Sequence, residues 1–346
     1  MAEPYTLQRD ASLHALNTFG VRARTAFLAT LRDAEALPAL FSDPVLAAVP
    51  AMVLGQGSNL LLVGDYPGVM LRLAGTGCAI LEDDGMHALV RVDAGVVWDS
   101  LVDWVIEHGL GGLENLALIP GLTGAAPIQN IGAYGVEVRE HIATVEAWDR
   151  RSASVRRLDA AECAFGYRDS LFKSQPDRWI VTAVEFRLAR AAPLQLDYAG
   201  VRDELQALGC ADPDARQVAR AVRSLRRRKL PDPAVVGNAG SFFKNPVVAA
   251  DRVEELRKRH PALPAYPTPD PAVRKLSAAW LIEQCGWRGH RAGDAGVSGQ
   301  HALVLVNHGA ATGEELLALA RRVATSVHER FGIELEPEPR IVGASW

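Results

Sequence analysis

The sequence of 346 residues lacks the short motifs that identify most nucleotide-dependent and metal-dependent enzymes. It contains no Gly-Lys-Ser or Gly-Lys-Thr of a P-loop and no Rossmann Gly-x-Gly-x-x-Gly. It also lacks the Gly-x-Ser-x-Gly elbow of the serine hydrolases. Its nine histidines form neither His-x-His nor His-Glu-x-x-His, so we predict no metal site. These absences remove the usual sequence grounds for an ATPase, a Rossmann dehydrogenase, a zinc enzyme or a triad hydrolase.

Long apolar runs and strong charge are absent as well. No run approaches the length of a membrane span, and no basic segment with an apolar stretch opens the chain. We therefore expect a soluble cytoplasmic protein. The net charge of −4 argues against a general nucleic-acid or membrane-surface binder but allows a local basic site. The four cysteines lack metal-ligand spacing and are predicted to be reduced core thiols: Cys78, Cys163, Cys210 and Cys285.

The sequence does contain enough apolar residues for a substantial core, since 49% of its residues are hydrophobic and 23% are charged. Its length suggests about two domains. In the first half, one helix is predicted from Trp98 to Ile106, with Gly109 as its stop. The predicted strands lie on either side of a Gly-rich turn within 51–64, at 88–93, in a possible hairpin of 141–149 with 153–158, and at 179–188. This mixture predicts a sheet that is not purely parallel.

A second pattern begins near residue 190. Asp212 and Pro213 are predicted to start a helix that buries Val218, Val222 and Leu225 and ends in the basic segment 226–229. A proline-rich loop at 261–271, a helix at 275–285 and a strand at 302–306 are expected to follow. The last helix is predicted to open with a capping box of Thr312 and Glu315 and to end at Gly332, before a strand over 334–340.

The most distinctive segment is Ile119–Gly135, which holds four glycines and two prolines and no charged side chain in 17 residues. Such a run suits a backbone that lies against a large ligand, with consecutive N–H groups forming a nest for an anion. Tight turns in a compact fold would explain it equally well. The segment Gly55–Asn59 has similar character and could hold a pyrophosphate, or could be a hairpin turn.

Four further features admit both a functional and an ordinary interpretation. Arg168 could bind the carboxylate of a ligand, or it could simply pair with an acidic side chain at the surface. Ser241 follows a glycine and precedes two phenylalanines, and is either a reactive hydroxyl or a turn residue. The basic helix end 223–229 is either a binding site for a diphosphate or a solvent-exposed face. Glu336 and Glu338 would share one side of a strand, as a site or as an acidic edge.

Taken together, the segments resemble one family, the UDP-N-acetylenolpyruvoylglucosamine reductases. The motifs that carry the resemblance are LGQGSNLLL, ENLALIPGLTGAAPIQNIGAYG, FGYRDS, KLPDP, GNAGSFFKNP, WLIEQCG and LEPEPR. They run in the family's order from Asn17 to the end of the sequence. The segment around Tyr198 resembles the branch of the family that places a tyrosine loop over the substrate.

The resemblance implies an α+β fold in which two FAD-binding subdomains of the vanillyl-alcohol-oxidase type precede a C-terminal α+β substrate domain. The implied boundaries are 1–66 joined by 333–346, then 67–230, then 231–332. The implied activity is reduction of UDP-N-acetylglucosamine enolpyruvate by NADPH through bound FAD, with a nucleotide-sugar substrate, no nucleic acid, no membrane and a monomeric chain. An FAD oxidase of similar fold and a nucleotide-sugar binding module without flavin are the alternatives.

The resemblance also assigns residues. The catalytic group is Ser241 as proton donor with Arg168 and Glu338. The residues implied to contact FAD are Gly55, Gly57, Ser58, Asn59, Ile119, Pro120, Gly121, Thr123, Gly124, Ala125, Ile128, Asn130, Gly132 and Ala133. Those implied to contact the substrate are Tyr134, Tyr198, Lys229, Asn245, Tyr266, Lys275 and His301.

Two positions depart from the family pattern. Gln300 is followed by His301 where a glutamine is expected, so either residue can take the contact, and a histidine there would introduce pH sensitivity. Pro339 stands where the family usually has another residue, which leaves strand pairing open at that point.

Overall fold

A computed structural model describes residues 5–346, and in it the chain forms two compact units. Unit 1 contains the residues up to Ala11 together with Thr25–Gln56 and Pro67–Arg228. Unit 2 contains Ser12–Arg24, Gly57–Tyr66 and Lys229–Trp346. The three-part division expected from the resemblance stays a prediction, and its first four residues lie outside the described part of the chain.

The strands of residues 5–346 are short, and most contain three to eight residues. They are β1 (Tyr5–Ser12), β2 (Arg24–Leu31), β3 (Ala51–Val53), β4 (Leu60–Leu62), β5 (Tyr66–Leu73), β6 (Cys78–Asp83), β7 (His87–Asp93), β8 (Gly132–Ala133), β9 (Val136–Glu137), β10 (Ile142–Asp149), β11 (Ser154–Asp159), β12 (Trp179–Ala189), β13 (Gly237–Ser241), β14 (Val247–Ala249), β15 (Ala265–Pro267), β16 (Val273–Leu276), β17 (Arg291–Ala292), β18 (Ala295–Val297), β19 (Val304–Asn307) and β20 (Arg340–Val342).

The α-helices of the same residues are α1 (Leu37–Ser42), α2 (Pro44–Ala47), α3 (Trp98–Glu107), α4 (Leu171–Ser174), α5 (Val201–Ala207), α6 (Ala215–Lys229), α7 (Ala250–Arg259), α8 (Ala278–Gln284) and α9 (Gly313–Phe331). No helix of residues 5–346 is long and apolar enough to cross a membrane.

Unit 1 is built on an antiparallel five-stranded sheet with the order β11-β10-β12-β7-β6. Its central strand β12 has eight consecutive buried residues from its first position, as expected of a strand covered on both faces. The apolar faces of α3 and α6 belong to the same core, which is the larger of the two in this unit. A four-stranded sheet, β1-β2-β5-β3, with α1 and α2 beside it forms the second core.

Unit 2 combines the sheet β13-β19-β18-β17, the sheet β14-β16-β15 and a parallel pair of β20 with β4. Helix α9 opens with the predicted capping box of Thr312 and Glu315 and ends at Gly332, whose φ is 64°. A Cβ on Gly313 would lie 1.9 Å from the carbonyl oxygen of Leu62, so the start of α9 lies directly against β4. Glycine at this position is therefore required by packing.

Several predictions from periodicity are confirmed. Helix α3, strands β7 and β12, the hairpin of β10 with β11, a sheet that is not purely parallel and the buried face of α6 all occur as expected. The reason is common to all of them: each element carries a local apolar pattern long enough to specify its own conformation.

Other predictions are wrong in part. Asp214, not Asp212, caps α6, because its carboxylate accepts the N–H of Gln217 at 2.7 Å. The predicted helix 275–285 is a strand (β16) up to Leu276 and a helix only from Ala278, where the Ser277 hydroxyl caps it. The loop 261–271 contains strand β15. The strand expected over 334–340 is confined to its end, since β20 begins at Arg340.

Two further corrections concern the turn and the thiols. The segment Gly55–Asn59 does not close a hairpin, because β3 pairs with β5 and β4 pairs with β20, both in parallel. All four cysteines are free, but only Cys163 is buried, so the prediction of four core thiols is wrong for the other three.

Candidate functional site

The distinctive run Ile119–Gly135 lies in unit 1 and is partly fixed by the protein itself. The N–H groups of Thr123 and Gly124 donate to the carbonyl oxygens of Val96 and Ala94 at 2.8 and 3.0 Å. A Cβ on Gly124 would lie 2.5 Å from the Cβ of Ala94. The prediction of a nest of free N–H groups is therefore wrong at these two residues, and packing explains the glycine at 124.

The remainder of the run presents apolar side chains of a kind that suits a flavin. Ile119, Ile128 and Ala133 are half-buried and pack against the edge of the larger core. A planar, largely apolar ring system needs such a partly exposed apolar surface. Thr123 and Asn130 are instead fully buried, and the Thr123 hydroxyl donates to the Val96 carbonyl at 3.1 Å. Their predicted contacts with FAD stay predictions.

Unusual backbone conformations concentrate near this run. Among residues 5–346, seven non-glycine residues have positive φ, and four of them belong to this region: Leu118 (58°), Asn130 (46°), Tyr134 (48°) and Arg168 (53°). Tyr134 and Gly135 form a two-residue turn between β8 and β9 in which both φ angles are positive, as a tight hairpin requires. Glycine or asparagine is the usual residue at such positions. Clusters of strained non-glycine residues are typical of functional sites.

Arg168 occupies a tight turn closed by hydrogen bonds between Gly166 and Asp169. Its guanidinium donates to the carbonyl oxygens of Gly132 at 2.7 Å and Asn130 at 3.4 Å. The Asn130 amide in turn donates to the Gly166 carbonyl at 2.9 Å. The turn and the Gly-rich run are thus joined, and they orient the planar fork of Arg168.

Two tyrosines predicted to contact the substrate meet in unit 1. The rings of Tyr134 and Tyr198 are 5.3 Å apart at an angle of 70°, an edge-to-face contact. Burial raises the pKa of the Tyr134 phenol, and the nearby Arg226 opposes this shift. Tyr134 therefore stays an uncharged hydrogen-bonding group at neutral pH.

Two residues at this place were given no role of their own by the sequence. Asn115 is fully buried and donates to the Tyr134 carbonyl at 2.8 Å. Arg226 donates to the Leu118 carbonyl at 3.1 Å, and burial lowers the pKa of its guanidinium. Asn115 lies inside the ENLALIPG motif, and Arg226 follows the buried Leu225 of α6. Those were the available signals.

The basic end of α6 is more ordered than a solvated face. Arg223 pairs with Asp99 at 2.8 Å and with Asp103 at 2.7 Å, and Arg228 pairs with Glu204. The terminal Lys229 is exposed. Two arginines of this segment are therefore engaged in ion pairs. A phosphate-binding site here would have to use other residues of the segment.

In unit 2 the segment Gly57–Asn59 is fixed by close packing. A Cβ on Gly57 would lie 2.1 Å from the carbonyl oxygen of Leu16, and the φ of Gly57 is 65°. Asn59 accepts the N–H of Arg340 at 3.0 Å and directs its amide at the Glu338 carbonyl at 3.4 Å. A segment predicted to contact the cofactor thus lies beside Glu338.

Ser241 ends strand β13 immediately after a β-bulge. The register with β19 shifts between Asn238 and Ser241, and Gly240 has a φ of 69°. The Asn238 side-chain oxygen accepts the Gly240 N–H at 3.0 Å and holds the bulge. Bulges redirect side chains and are common beside active sites. The role of Ser241 as a reactive hydroxyl stays a prediction.

Backbone hydrogen bonds join the Ser241 segment to the Glu338 segment. Phe242 accepts the Glu338 N–H at 2.8 Å, and Lys244 donates its N–H to Glu336 at 3.0 Å. Glu338 is half-buried, whereas the side chain of Glu336 is 70% exposed and pairs with Lys244. The expected strand is reduced here to an isolated bridge between Phe243 and Pro337, but the backbone segments that carry two of the predicted catalytic residues are joined.

The predicted substrate residues of unit 2 fall into different roles. Tyr266 and Lys275 are direct cross-strand partners on β15 and β16, so their side chains stand on one face of that sheet. The Asn245 side-chain oxygen accepts the Ala278 N–H at 3.0 Å, and it therefore helps to cap α8. Pro339 precedes β20, so its missing N–H costs no ladder hydrogen bond.

His301 is held in one protonation state by its surroundings. Its Nδ1 accepts the Leu303 N–H at 3.3 Å, which leaves the proton on Nε2. Burial lowers the pKa of His301, and the positive charges of Lys229 and Arg288 lower it further. The neutral imidazole is half-buried, while Gln300 is exposed.

Comparison with known proteins agrees with both halves of this description. The family model for the C-terminal domain of UDP-N-acetylenolpyruvoylglucosamine reductase matches residues 232–342, and an FAD binding domain matches residues 25–159. The reductase of Xanthomonas euvesicatoria pv. vesicatoria is 54% identical over 342 residues, 99% of this chain and 98% of its own length. The reductase of Xylella fastidiosa is 54% identical over 99% of this chain and 97% of its own length.

Solved structures show the same relationship. The reductase of Thermus caldophilus superimposes with a TM-score of 0.68 at 26% identity, covering 98% of this chain and 99% of the other. The 6-hydroxy-D-nicotine oxidase of Arthrobacter nicotinovorans, at 14% identity, has a TM-score of 0.50 and covers 94% of this chain and 83% of its own. It shares the fold alone, which confirms the predicted α+β architecture of the oxidase type.

The identity, the coverage and the two family models lead to one conclusion: the chain belongs to the UDP-N-acetylenolpyruvoylglucosamine reductases, FAD-containing oxidoreductases that reduce UDP-N-acetylglucosamine enolpyruvate in peptidoglycan synthesis.

Proposed function

We propose that NADPH is the reductant of this enzyme and that Ser241, Arg168 and Glu338 carry the chemistry of the substrate step. The observation that supports the residue assignment most directly is the backbone pairing that brings the Ser241 and Glu338 segments together in unit 2. It unites two residues that are almost one hundred positions apart in the sequence.

Bound FAD supplies the redox chemistry by taking two electrons from NADPH and delivering them to the enolpyruvyl double bond. The half-buried apolar residues Ile119, Ile128 and Ala133 fit one face of such a cofactor. We propose as further contacts the other residues that the resemblance assigned, namely Gly55, Gly57, Ser58, Asn59, Pro120, Gly121, Thr123, Gly124, Ala125, Asn130 and Gly132.

Arg168 would bind the substrate carboxylate. Reduction of the double bond places negative charge on that carboxylate and the adjacent carbon, and a fixed guanidinium stabilises the charge as it develops. The carbonyl oxygens of Gly132 and Asn130 hold the guanidinium in place before the substrate arrives. A preoriented donor of this kind lowers the barrier without a reorganisation step.

Ser241 would deliver the proton to the carbon next to the carboxylate. A serine hydroxyl is a weak acid, but the carbon of an enolate is a strong base, so a positioned donor is sufficient. Phe242 and Phe243 follow Ser241 and are 0% and 1% exposed. Two buried phenylalanines directly after Ser241 would help to keep water away from its hydroxyl.

Glu338 would assist only when it is protonated or held through a donor, since a bare carboxylate beside an enolate would repel it. Glu338 is half-buried beside the Ser241 segment. The proposed substrate contacts are Tyr134, Tyr198, Lys229, Asn245, Tyr266, Lys275 and His301.

We also propose a monomer in the cytoplasm, with FAD subdomains over 1–66 plus 333–346 and over 67–230, and a substrate domain over 231–332.

The decisive experiment separates the two half-reactions. The purified protein is reduced anaerobically with NADPH, and UDP-N-acetylglucosamine enolpyruvate is then added while the flavin absorbance is followed. We expect bleaching by NADPH and recovery on addition of the substrate. A flavoprotein that NADPH does not bleach would be an oxidase of similar fold, and a protein without flavin absorbance would be a binding module.

A further inference from the structure

Asn115 lies in a short 3-10 helix, Glu114–Leu116, and its side chain is 0% exposed. Its amide nitrogen donates to two carbonyl oxygens, those of Tyr134 and Gln195, each at 2.8 Å. A carbonyl oxygen accepts and never donates, so the nitrogen must face this pair. The orientation of the amide is therefore settled by its partners.

The other end of the same amide has no such support. The Asn115 side-chain oxygen is buried and has no hydrogen-bond partner among residues 5–346. A buried acceptor without a partner is unfavourable. The two donated hydrogen bonds are consequently the contribution of this side chain to the structure.

The two carbonyls belong to the segments that carry the tyrosines. Tyr134 sits in the strained turn between β8 and β9, and Gln195 lies three residues before Tyr198. The loop around Gln195 is attached to the core through the half-buried Leu194 and Leu196. Tyr198 itself is 49% exposed, and its ring rests on the edge of Tyr134.

We infer that Asn115 is a positioning residue that sets the spacing of Tyr134 and Tyr198 by fastening the turn of one to the loop of the other. It contacts neither cofactor nor substrate in this role. The inference rests on the proposed substrate contacts of the two tyrosines. Its consequence is that loss of the two donors loosens the Tyr198 loop and weakens substrate binding without altering the flavin.

The test begins with Asn115→Asp, which keeps the shape and removes at least one of the two donated hydrogen bonds, since a carboxyl group has at most one proton to donate. The KM for UDP-N-acetylglucosamine enolpyruvate should rise about tenfold, because that factor corresponds to the free energy of one or two hydrogen bonds. The value of kcat and the flavin content should be retained. Asn115→Leu removes the donors without adding charge and gives the same answer if the aspartate variant folds poorly.

A double-mutant cycle separates positioning from general destabilisation. Tyr198→Ala and the double variant Asn115→Asp/Tyr198→Ala should show similar KM values, because Asn115 acts through the tyrosine. Effects that multiply would overturn the inference. Asp197→Asn is the matched control: it breaks an exposed ion pair with Arg202 one residue from Tyr198 and should leave KM unchanged.

A substrate-free measurement keeps this inference separate from the proposed function. Amide hydrogen exchange of residues 194–200 in the FAD-loaded enzyme should be faster in Asn115→Asp than in the wild type and unchanged in Asp197→Asn. Unchanged exchange in Asn115→Asp would overturn the inference even in a fully active enzyme. If the wild type fails to oxidise NADPH with this substrate, the proposed function fails, and hydrogen exchange still decides the role of Asn115.

Discussion

The predicted site residues of unit 1 and those of unit 2 are assembled in opposite ways. In unit 1 most of them belong to one continuous run, Ile119–Gly135, and the structure adds strained backbone at Tyr134 and Arg168. In unit 2 they come from separate segments, and Asn59 reaches the Glu338 carbonyl across 279 positions. Local sequence therefore identifies the first set, whereas only backbone pairing unites the second.

The difference has an energetic side. Positive φ at a non-glycine residue costs about 1–3 kcal/mol at such a site, so unit 1 orients Arg168 at the expense of stability. Unit 2 orients Ser241 with a bulge at Gly240, where positive φ carries no such cost. Unit 1 thus places backbone strain at Arg168 itself, whereas the arrangement in unit 2 depends on the close approach of segments that are distant in the sequence.

The largest effect is expected from Ser241→Ala in unit 2. Removal of a positioned proton donor should slow flavin reoxidation by the substrate about 10²–10⁴-fold and leave flavin reduction by NADPH nearly intact. Stopped-flow absorbance measures both half-reactions. Ser277→Ala, which removes the cap of α8 in the same unit, should lower stability by about 1 kcal/mol without changing reoxidation. Equal losses in both half-reactions would argue against a proton donor.

Gly57→Ala should come next, as a test of the close approach on which unit 2 depends. The new methyl group would lie 2.1 Å from the Leu16 carbonyl oxygen, so the free energy of unfolding should fall by about 3 kcal/mol and flavin should be lost. Chemical denaturation and flavin absorbance provide the measurement. At Gly64 a Cβ meets no atom within 4 Å, so Gly64→Ala should differ little from the wild type. Similar destabilisation in both variants would contradict the interpretation that close packing requires glycine at position 57.

Arg168→Lys tests the oriented fork of unit 1. Lysine keeps the charge but cannot reproduce the planar pair of donors, so reoxidation by the substrate should slow about tenfold. Rapid kinetics with the NADPH-reduced enzyme measures this rate. Arg139→Lys, at an exposed arginine that pairs with Glu137, should have little effect. Equal slowing in the two variants would show that the orientation of Arg168 is not what matters.

The smallest effect concerns pH and involves one histidine from each unit. Burial lowers the pKa of His301 and of His141, so the unfolded chain binds protons more readily than the folded one as the pH falls below about 6.5. Stability should therefore decrease with falling pH, and His301→Gln or His141→Gln should each reduce that slope between about pH 7 and 5. Denaturation at several pH values measures it.

Only His301→Gln should also change the KM for the substrate, since His141 has no proposed contact with it. A slope that neither substitution alters would show that the two imidazoles do not titrate as their burial indicates.

Much of the fold could be predicted from the sequence because the longer helices and strands carry local sequence patterns that specify their conformation. The apolar face of α3 and the capping box at Thr312 are local signals, and both are confirmed. Where the signal was short, prediction failed: Lys275 lies on a strand, since the helix begins only after the Ser277 cap. The strand expected around Glu338 is reduced to an isolated bridge between Pro337 and Phe243, and β20 begins only after Pro339.

The sequence by itself determined the family, the FAD-binding character and the residue types available for the chemistry, because these reside in contiguous motifs. The tertiary structure decided which of those residues meet. It placed Glu338 against Phe242 and Asn59, set a bulge immediately before Ser241 at the end of β13, and attached the Tyr134 turn to the Tyr198 loop through Asn115. The physical reason is that such contacts are hydrogen bonds and close approaches between distant segments, which leave no periodic trace in the sequence.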